Sequence, residues 1–320
     1  MPGTPRPPNI FAGSYLDRTS RPRDDTEWLE ELGRQGNALL VPVWQLRNLI
    51  DPGAGTPTAR LLEWQEAASH VTRSEDLILL GEFRSRLCFA VEITGDAPPA
   101  LPPDAEFHDL RGLGGALPGD EAGLLAYARA MVHWRARHRF CGSCGAPTAS
   151  TRSGHLLKCT ACGTQQFPRI DPAIIVLVSH GEGDGERALL GRQAIWPPGR
   201  YSTIAGFVEP GESLEDAVIR EVHEETGIDA TTPVYHSSQP WPFPASLMLG
   251  FTARARTTDI ACRDGELEDA RWFSRADLKA GKILLPPPQS ISYRLIEDWL
   301  NGSPGSEEAR KHGKPAIPEP

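Results

Sequence analysis

Three glutamates within five positions of one another are the residues of this chain most suited to chemistry. Glu221, Glu224 and Glu225 stand at i, i+3 and i+4, so a helix would place all three carboxylates on one side. Like charges at these spacings repel each other, and a bound cation would neutralise them. Carboxylate oxygens suit hard cations such as Mg²⁺ and Mn²⁺, so the spacing indicates a metal site. The alternative is a solvated acidic helix face.

The surrounding residues predict the helix that would carry these glutamates. Ser213 can cap it, Gly227 can end it, and residues 206–211 form a glycine-containing loop before it. Arg220 lies beside the glutamates and could fix a carboxylate by a bidentate hydrogen bond. The apolar face of this helix would consist of Leu214, Ala217, Val218 and Val222.

The complete pattern from Gly206 to Ile228 resembles the signature sequence of the Nudix hydrolases. It runs Gly, five residues, Glu, seven residues, Arg-Glu-Val, one residue, Glu-Glu, one residue, Gly-Ile. Nudix enzymes hydrolyse a nucleoside diphosphate linked to another moiety, and the resemblance implies a loop–helix–loop metal site in an α/β/α sandwich. The metal ligands that it implies are Glu221, Glu224, Glu225 and the backbone carbonyl of Ala205. Arg220 would orient the carboxylates, and one of the glutamates or Glu212 would assist the attacking water.

A second stretch, residues 238–246, combines three prolines with two aromatic rings. The prolines restrict the backbone, which favours a stiff loop that can hold flat rings and their polar substituents. A proline-rich turn with core aromatics is the alternative. The array resembles one that marks the NADH pyrophosphatase branch of the Nudix family. The substrate contacts that this resemblance implies are Gln239, Pro240, Trp241, Pro242, Phe243, Pro244, Ala245 and Ser246.

Further positions resemble functional residues of the same branch. Phe207 resembles a ring-stacking residue, Phe167 a residue that touches the substrate base, and Ser292 a contact in the loop that closes over the substrate. Glu266 resembles the downstream glutamate that completes the metal shell. The chain departs from some relatives at Gly154, where an acidic contact residue is absent, and at Phe167, which replaces a common tyrosine.

Four of the six cysteines form two Cys-x-x-Cys pairs with fourteen residues between them. This spacing is typical of a four-thiolate zinc site, which leaves no open position for water and is therefore structural. A redox dithiol pair is the alternative. The intervening residues hold few basic side chains, which favours a folding staple or interface element, and such a ribbon is also typical of the NADH pyrophosphatase branch. The predicted zinc ligands are Cys141, Cys144, Cys159 and Cys162.

The charge of the chain limits the partners that it can hold. A formal net charge of −9 argues against a broad groove for nucleic acid and against a polybasic membrane anchor. Residues 206–228 carry −6 of this charge, so the acidity is mostly local, and recognition of a capped RNA end stays open. The sequence has no apolar leader and no apolar run of transmembrane length, so we expect no signal peptide, no membrane span and a cytoplasmic location.

The order of the predicted elements indicates an α/β fold with a mostly β N-terminal domain. Short apolar runs predict strands before residue 120, and strands on both sides of a central helix predict a sandwich in the C-terminal half. The predicted segments are a disordered 1–10, an N-terminal NADH-pyrophosphatase-like domain at 11–120, a connecting helix at 121–138, a zinc ribbon at 139–167, a Nudix domain at 168–300 and a disordered tail at 301–320.

These features predict an enzyme that uses Mg²⁺ or Mn²⁺ to hydrolyse the pyrophosphate of NADH or NAD⁺, giving nicotinamide mononucleotide and AMP. Removal of NAD caps from RNA 5′ ends uses the same chemistry and is the second hypothesis. The alternatives are hydrolysis of another substrate such as ADP-ribose, a zinc-ribbon RNA-binding decapping protein, and a ribbon protein whose Nudix domain is idle. Relatives of this branch form homodimers, and the resemblance implies the same assembly here.

Overall fold

A computed structural model describes residues 7–13, 15–18, 23, 38–67, 76–96, 104–263 and 265–302. The chain consists of two compact units, Met1–Ile170 with Pro240–Ala245, and Asp171–Gln239 with Ser246–Pro320. The predictions of disorder at 1–6 and 303–320 lie outside the described residues. Residues 7–10, for which disorder was also predicted, are described by the structure, and Asn9 is buried.

The first unit is built on a seven-stranded mixed sheet, in keeping with the predicted β-rich N-terminal domain. Its strands are β1 (Ala38–Trp44), β2 (Arg47–Asp51), β3 (Thr58–Ala59), β4 (Leu62–Glu63), β5 (Leu77–Phe83), β6 (Arg86–Ile93) and β7 (Glu106–His108). Its helices are α1 (Trp64–Ala67), α2 (Leu110–Leu113) and α3 (Gly119–Arg137). The main order is β3-β2-β1-β6-β5, with β4 on β1 and β7 on β2. Because β1 and β6 are apolar runs that pair in parallel, α3 packs on them and closes the core.

The cysteine-rich segment forms a three-stranded antiparallel sheet of β8 (Thr148–Thr151), β9 (Leu156–Cys159) and β10 (Gln165–Gln166). Its two Cys-x-x-Cys pairs fold into matching turns. The amides of Gly145 and Gly163 donate to the carbonyls of Cys141 and Cys159, and both glycines have φ near +75°, at 76° and 74°. A positive φ of this size is sterically unfavourable for residues other than glycine, which explains why a glycine follows each cysteine pair.

The second unit contains a six-stranded sheet in the main order β14-β15-β11-β12-β16, with β13 paired to β11. Its strands are β11 (Asp171–His180), β12 (Arg187–Arg192), β13 (Ile204–Phe207), β14 (Ala230–Trp241), β15 (Ser246–Ala255) and β16 (Asp269–Ser274). Its helices are α4 (Leu214–Thr226), α5 (Arg275–Lys279) and α6 (Ile291–Asn301). No helix in the described part of the chain combines the length and the apolar character that a membrane crossing needs.

Strand β11 is the centre of this second unit because its apolar residues serve both faces of the sheet. Ile174, Val176 and Val178 pack in one buried cluster with the apolar face of α4, and Ile175 and Leu177 pack in another with α6. Successive side chains of a strand point to opposite faces, so a continuous apolar run must be covered on both. The predicted α/β/α sandwich is therefore confirmed.

The helix that carries the glutamates begins and ends as its sequence predicts. The Ser213 hydroxyl accepts a hydrogen bond from the Asp216 amide at 3.1 Å, which caps the N-terminus. Gly227 adopts the left-handed conformation, with φ of 70°, and its amide donates to the carbonyl of His223. These two caps fix which residues form α4 and therefore which side chains face β13.

Residues 238–246 differ from the single stiff loop that the sequence predicts. β14 continues through Trp241, and β15 starts at Ser246, so only the residues between them form the turn. The reason lies in the position of β14 at the edge of the sheet. An edge strand tolerates proline, because the missing N–H can face away from the neighbouring strand.

Candidate active site

Arg220 is the centre of the hydrogen bonding around the predicted metal ligands. Its Nε and Nη2 donate to the two carboxylate oxygens of Glu212 at 2.6 and 2.9 Å, which makes a bidentate pair. Nη1 donates to Glu221 at 3.0 Å and to Glu224 at 2.8 Å. Nη2 also donates to the backbone carbonyl of Phe207 at 2.9 Å. One guanidinium therefore ties α4 to the end of β13 and to the loop before the helix.

The carboxylate of Glu221 lies directly against the backbone of β13 at Gly206. A Cβ atom added to Gly206 would lie 1.9–2.1 Å from the carboxyl atoms of Glu221, so a side chain at this position would displace them. β13 is itself fixed by antiparallel pairing with β11, which places Gly206 opposite Ile174 and Ala205 opposite Ile175. Gly206 is therefore a cradle for one predicted metal ligand.

The two carboxylates held by Arg220 have pKa values shifted in opposite directions. Hydrogen bonds from Arg220, and then from the amide of Glu209, lower the pKa of Glu212 to about 2. Burial raises the pKa of Glu221, although Arg220 opposes this effect, and the negative charges of Glu224 and Glu266 raise it further. Glu212 therefore stays ionised, while the ionised form of Glu221 is disfavoured by burial and by its acidic neighbours and favoured by Arg220.

The other predicted ligands lie around Glu221. Ala205 precedes Gly206 in β13, and Glu225 follows Glu221 by one helical turn and is buried. Glu266 lies in the exposed segment before β16, close enough for its charge to act on Glu221. The structure therefore places these residues on the strand, helix and segment around Glu221, although among the described residues only the four ribbon cysteines converge into a close cluster of metal-binding side chains.

This donor set fits a hard divalent cation. Its atoms are carboxylate and carbonyl oxygens, the ligands that Mg²⁺ and Mn²⁺ prefer. Glu221 and Glu225 are only 9% and 4% exposed, and buried carboxylates are costly unless positive charge compensates them. Arg220 supplies one such charge, and a divalent cation would supply the remainder.

The four ribbon cysteines fit a zinc ion. Their sulfur atoms all lie within 4.8 Å of one another, and three Sγ pairs are 3.4, 3.5 and 3.7 Å apart. A tetrahedron with Zn–S bonds of about 2.3 Å requires sulfur separations of about 3.8 Å. A hydrogen bond with the Thr164 hydroxyl lowers the pKa of Cys162 to about 6.

The central aromatic rings of the array are core residues of the first unit. Phe243 is buried and Trp241 half-buried, their centroids are 5.0 Å apart, and both pack on Phe11 at 6.0 and 6.3 Å. Arg129 lies over the ring of Phe243 at 4.9 Å and donates to the carbonyl of Pro242 at 2.8 Å. These contacts favour the alternative of a proline-rich turn with core aromatics for these two rings.

Predicted substrate contacts differ widely in how accessible they are. Phe207 and Phe167 have 60% and 57% of their surfaces exposed, so both rings are open to a ligand. Gln239 is fully buried and Ser292 nearly so, and both side chains bind other parts of the chain. Among the remaining array residues, Pro242 is buried, Pro240, Ala245 and Ser246 are half-buried, and Pro244 is exposed.

Two residues that contact Ser292 could not be identified from any local pattern in the sequence. Ser202 and Thr203 lie just before β13, and their hydroxyls contact the hydroxyl of Ser292, each at 2.8 Å. They are about ninety positions away from Ser292 in the chain, at separations of 90 and 89. Such a pairing follows from the packing of α6 on the sheet, which no local pattern encodes.

The fold and the Gly206–Arg220–glutamate site define a Nudix hydrolase, and the chain belongs to that family. The NUDIX domain family matches residues 169–297. The branch follows from the rest of the chain, because residues 37–134 match the NADH pyrophosphatase-like rudimentary NUDIX domain and residues 136–167 the NADH pyrophosphatase zinc ribbon domain.

Curated relatives resemble most of this chain. The NAD-capped RNA hydrolase NudC of Deinococcus radiodurans is 42% identical over 73% of this chain and 80% of its own length. The protein of the same name from Stutzerimonas stutzeri is 43% identical over 74% of this chain and 79% of its own. The human NAD-capped RNA hydrolase NUDT12 is 33% identical over 92% of this chain and 74% of its own.

We expect the ribbon to hold a single zinc ion that stabilises its unit. Cys159→Ser should abolish zinc binding, because it removes one of four thiolates, and should lower the melting temperature. Elemental analysis and thermal unfolding would measure both effects. Cys262→Ser, which lies outside the ribbon, is the matched control and should keep the metal. A wild-type protein purified without chelators that contains no zinc would contradict the assignment.

Gly206→Ala should weaken metal binding at the predicted carboxylate site. The added methyl group must displace the Glu221 carboxylate, so we expect Mn²⁺ affinity to fall by about 10- to 100-fold, as when supporting residues of metal sites are changed. Titration of the electron paramagnetic resonance signal of free Mn²⁺ would measure this affinity. The control is Gly185→Ala, because a Cβ there meets no atom within 4 Å. Equal affinities in the two variants would show that the cradle is unimportant.

Proposed function

We propose that this protein hydrolyses the pyrophosphate bond of NADH or NAD⁺ to give nicotinamide mononucleotide and AMP, and that it also removes NAD caps from RNA. The observation that carries the proposal is the carboxylate cluster that Arg220 and Gly206 hold in place. The names of the relatives support an NAD-containing substrate, since three of them are NAD-capped RNA hydrolases.

We assign the chemistry to residues of the second unit. Glu221, Glu224, Glu225 and Glu266, with the carbonyl of Ala205, would hold Mg²⁺ or Mn²⁺. The bound ion would supply Lewis-acid polarisation of a phosphate. Water attacks one phosphorus atom, and the bridging P–O bond breaks. Glu212, Glu221, Glu224 or Glu225 accepts the proton of the water. Arg220 keeps the carboxylates oriented throughout.

We assign ring binding first to Phe207. It directly follows Gly206 in the sequence, and 60% of its surface is exposed. An aromatic face so close to the predicted ligands could stack on a base or on the nicotinamide while the pyrophosphate lies over the carboxylates. Phe167 is the second candidate, because its ring is also exposed in its own unit.

The assembly and location of the protein are further proposals. We propose a homodimer, on the basis of the resemblance to the NADH pyrophosphatase branch, and light scattering on the purified protein would test it. A cytoplasmic location agrees with six cysteines none of which forms a disulfide, since disulfides are typical of secreted proteins.

With Mg²⁺ or Mn²⁺, the protein should convert NADH into reduced nicotinamide mononucleotide and AMP, and chelation should stop the reaction. Glu225→Gln should lower kcat by at least about 100-fold, because a lost ligand costs more than a lost supporting contact. Liquid chromatography of the products would measure both. Glu215→Gln, an exposed position in the first turn of α4, is the control and should behave like wild type. Full activity of Glu225→Gln would overturn the assignment.

Competition between NADH and NAD-capped RNA should distinguish a cap reader from a protein that binds the RNA body. Because the chain has a net charge of −9, we expect few phosphate contacts. The ratio of kcat/KM for capped RNA to that for NADH should therefore fall less than about tenfold between about 50 and 200 mM salt. A fall of about 1,000-fold or more would reveal an extended phosphate-binding surface and contradict this expectation.

A further inference from the structure

Ser292 and Gln239 resemble substrate contacts of the NADH pyrophosphatase branch, yet both side chains are buried in the second unit. Gln239 is 0% exposed and Ser292 is 4% exposed. We propose that they are positioning residues, which fix the strand that forms the metal site by way of Thr203. The inference rests on the proposed assignment of Ala205 and Glu221 to that site.

The hydroxyl of Ser292 has no hydrogen-bonding capacity left for a substrate. A serine hydroxyl can donate one hydrogen bond and accept two. Ser292 Oγ accepts from the amide of Thr203 at 3.2 Å and lies 2.8 Å from each of the hydroxyls of Ser202 and Thr203. One of these two hydroxyls donates to Ser292 and the other accepts from it. The three contacts therefore use the one donor and both acceptor positions of the Ser292 hydroxyl.

Gln239 holds the N-terminus of the helix that carries Ser292. Its Oε1 accepts from the amide of Ile291, the first residue of α6, at 2.8 Å. Its Nε2 donates to the carbonyl of Gln289 at 2.9 Å. The first amides of a helix have no partner inside the helix, so this side chain acts as a tertiary cap.

The sheet beneath α6 is shaped for close approach at the same point. A Cβ added to Gly250 of β15 would lie 2.8 Å from Cδ1 of Ile291 and 2.9 Å from the carbonyl of Ser237. Glycine at this position lets the first turn of α6 sit directly on β15. The helix start, and with it Ser292, is therefore fixed by Gln239 from one side and by Gly250 from below.

A continuous path leads from Ser292 to the predicted metal ligands. Thr203, which Ser292 binds through both its amide and its hydroxyl, immediately precedes β13. Ala205 and Gly206 are two and three residues further along, and Gly206 is the cradle of the Glu221 carboxylate. A shift of Thr203 would be transmitted along a strand of four residues to the groups that bind the cation.

The test separates positioning from substrate contact by measuring metal binding without any substrate. Ser292→Ala and Thr203→Val each remove one hydroxyl of the network, and Thr203→Ser restores it. Mn²⁺ affinity is measured from the electron paramagnetic resonance signal of the free ion, and kcat and KM for NADH are measured separately. The control is Ser290→Ala, because Ser290 caps α6 but lies outside the network around Thr203.

We expect Ser292→Ala and Thr203→Val to weaken Mn²⁺ binding by about tenfold and to lower kcat, while KM for NADH changes less than about twofold. Thr203→Ser should restore both values. Ser290→Ala should lower the melting temperature and leave Mn²⁺ affinity unchanged. If Ser292→Ala does not fold, the comparison of Thr203→Val with Thr203→Ser gives the same answer.

Three results would overturn the inference. A raised KM with unchanged kcat and Mn²⁺ affinity would make Ser292 a substrate contact. No change in any value would leave the network without a role. Weakened Mn²⁺ binding in Ser290→Ala would show that loss of the helix start alone is responsible. Failure of the wild type to cleave NADH would overturn only the proposed function, because the Mn²⁺ measurement needs no substrate.

Discussion

The repulsion between glutamates on one short helix is the constraint on which the second unit depends. Residues 206–228 carry a formal charge of −6, and their basic residues are Arg220 and His223. Its guanidinium reaches three carboxylates and one carbonyl, so a single side chain organises the cluster. The same arrangement leaves an excess of negative charge, which makes the site suited to a divalent cation and, through that cation, to a pyrophosphate.

The framework around this cluster works because each element fixes the next. The apolar residues of β11 anchor α4 on one face and α6 on the other, and β11 also pairs with β13. Hence the helix of glutamates, the strand that cradles Glu221 and the helix that carries Ser292 all take their positions from one strand. A rigid support of this kind is what precise placement of metal ligands requires.

The sequence was most informative where chemistry is local. The caps at Ser213 and Gly227, the spacing of Glu221, Glu224 and Glu225, and the two cysteine pairs each lie within a few residues, and the structure has α4 and the cysteine cluster where these patterns predict them. It was least informative where partners are distant, as between Ser292 and Thr203. The resemblance implied substrate contact at Gln239 and Ser292, but only the packing of α6 shows what their side chains bind.

The array of prolines and aromatic rings at residues 238–246 determines whether the second unit can be cut out of the chain as one continuous segment. Pro240–Ala245 leaves the second unit and returns to it within six residues, and in between Trp241 and Phe243 pack against Phe11 in the core of the first. A fragment that starts after Ile170 would keep the predicted ligands of the divalent cation, but it would lose the four zinc ligands and leave Trp241 and Phe243 without Phe11. The two units are therefore interleaved along the chain, and no single cut separates the residues of one from those of the other.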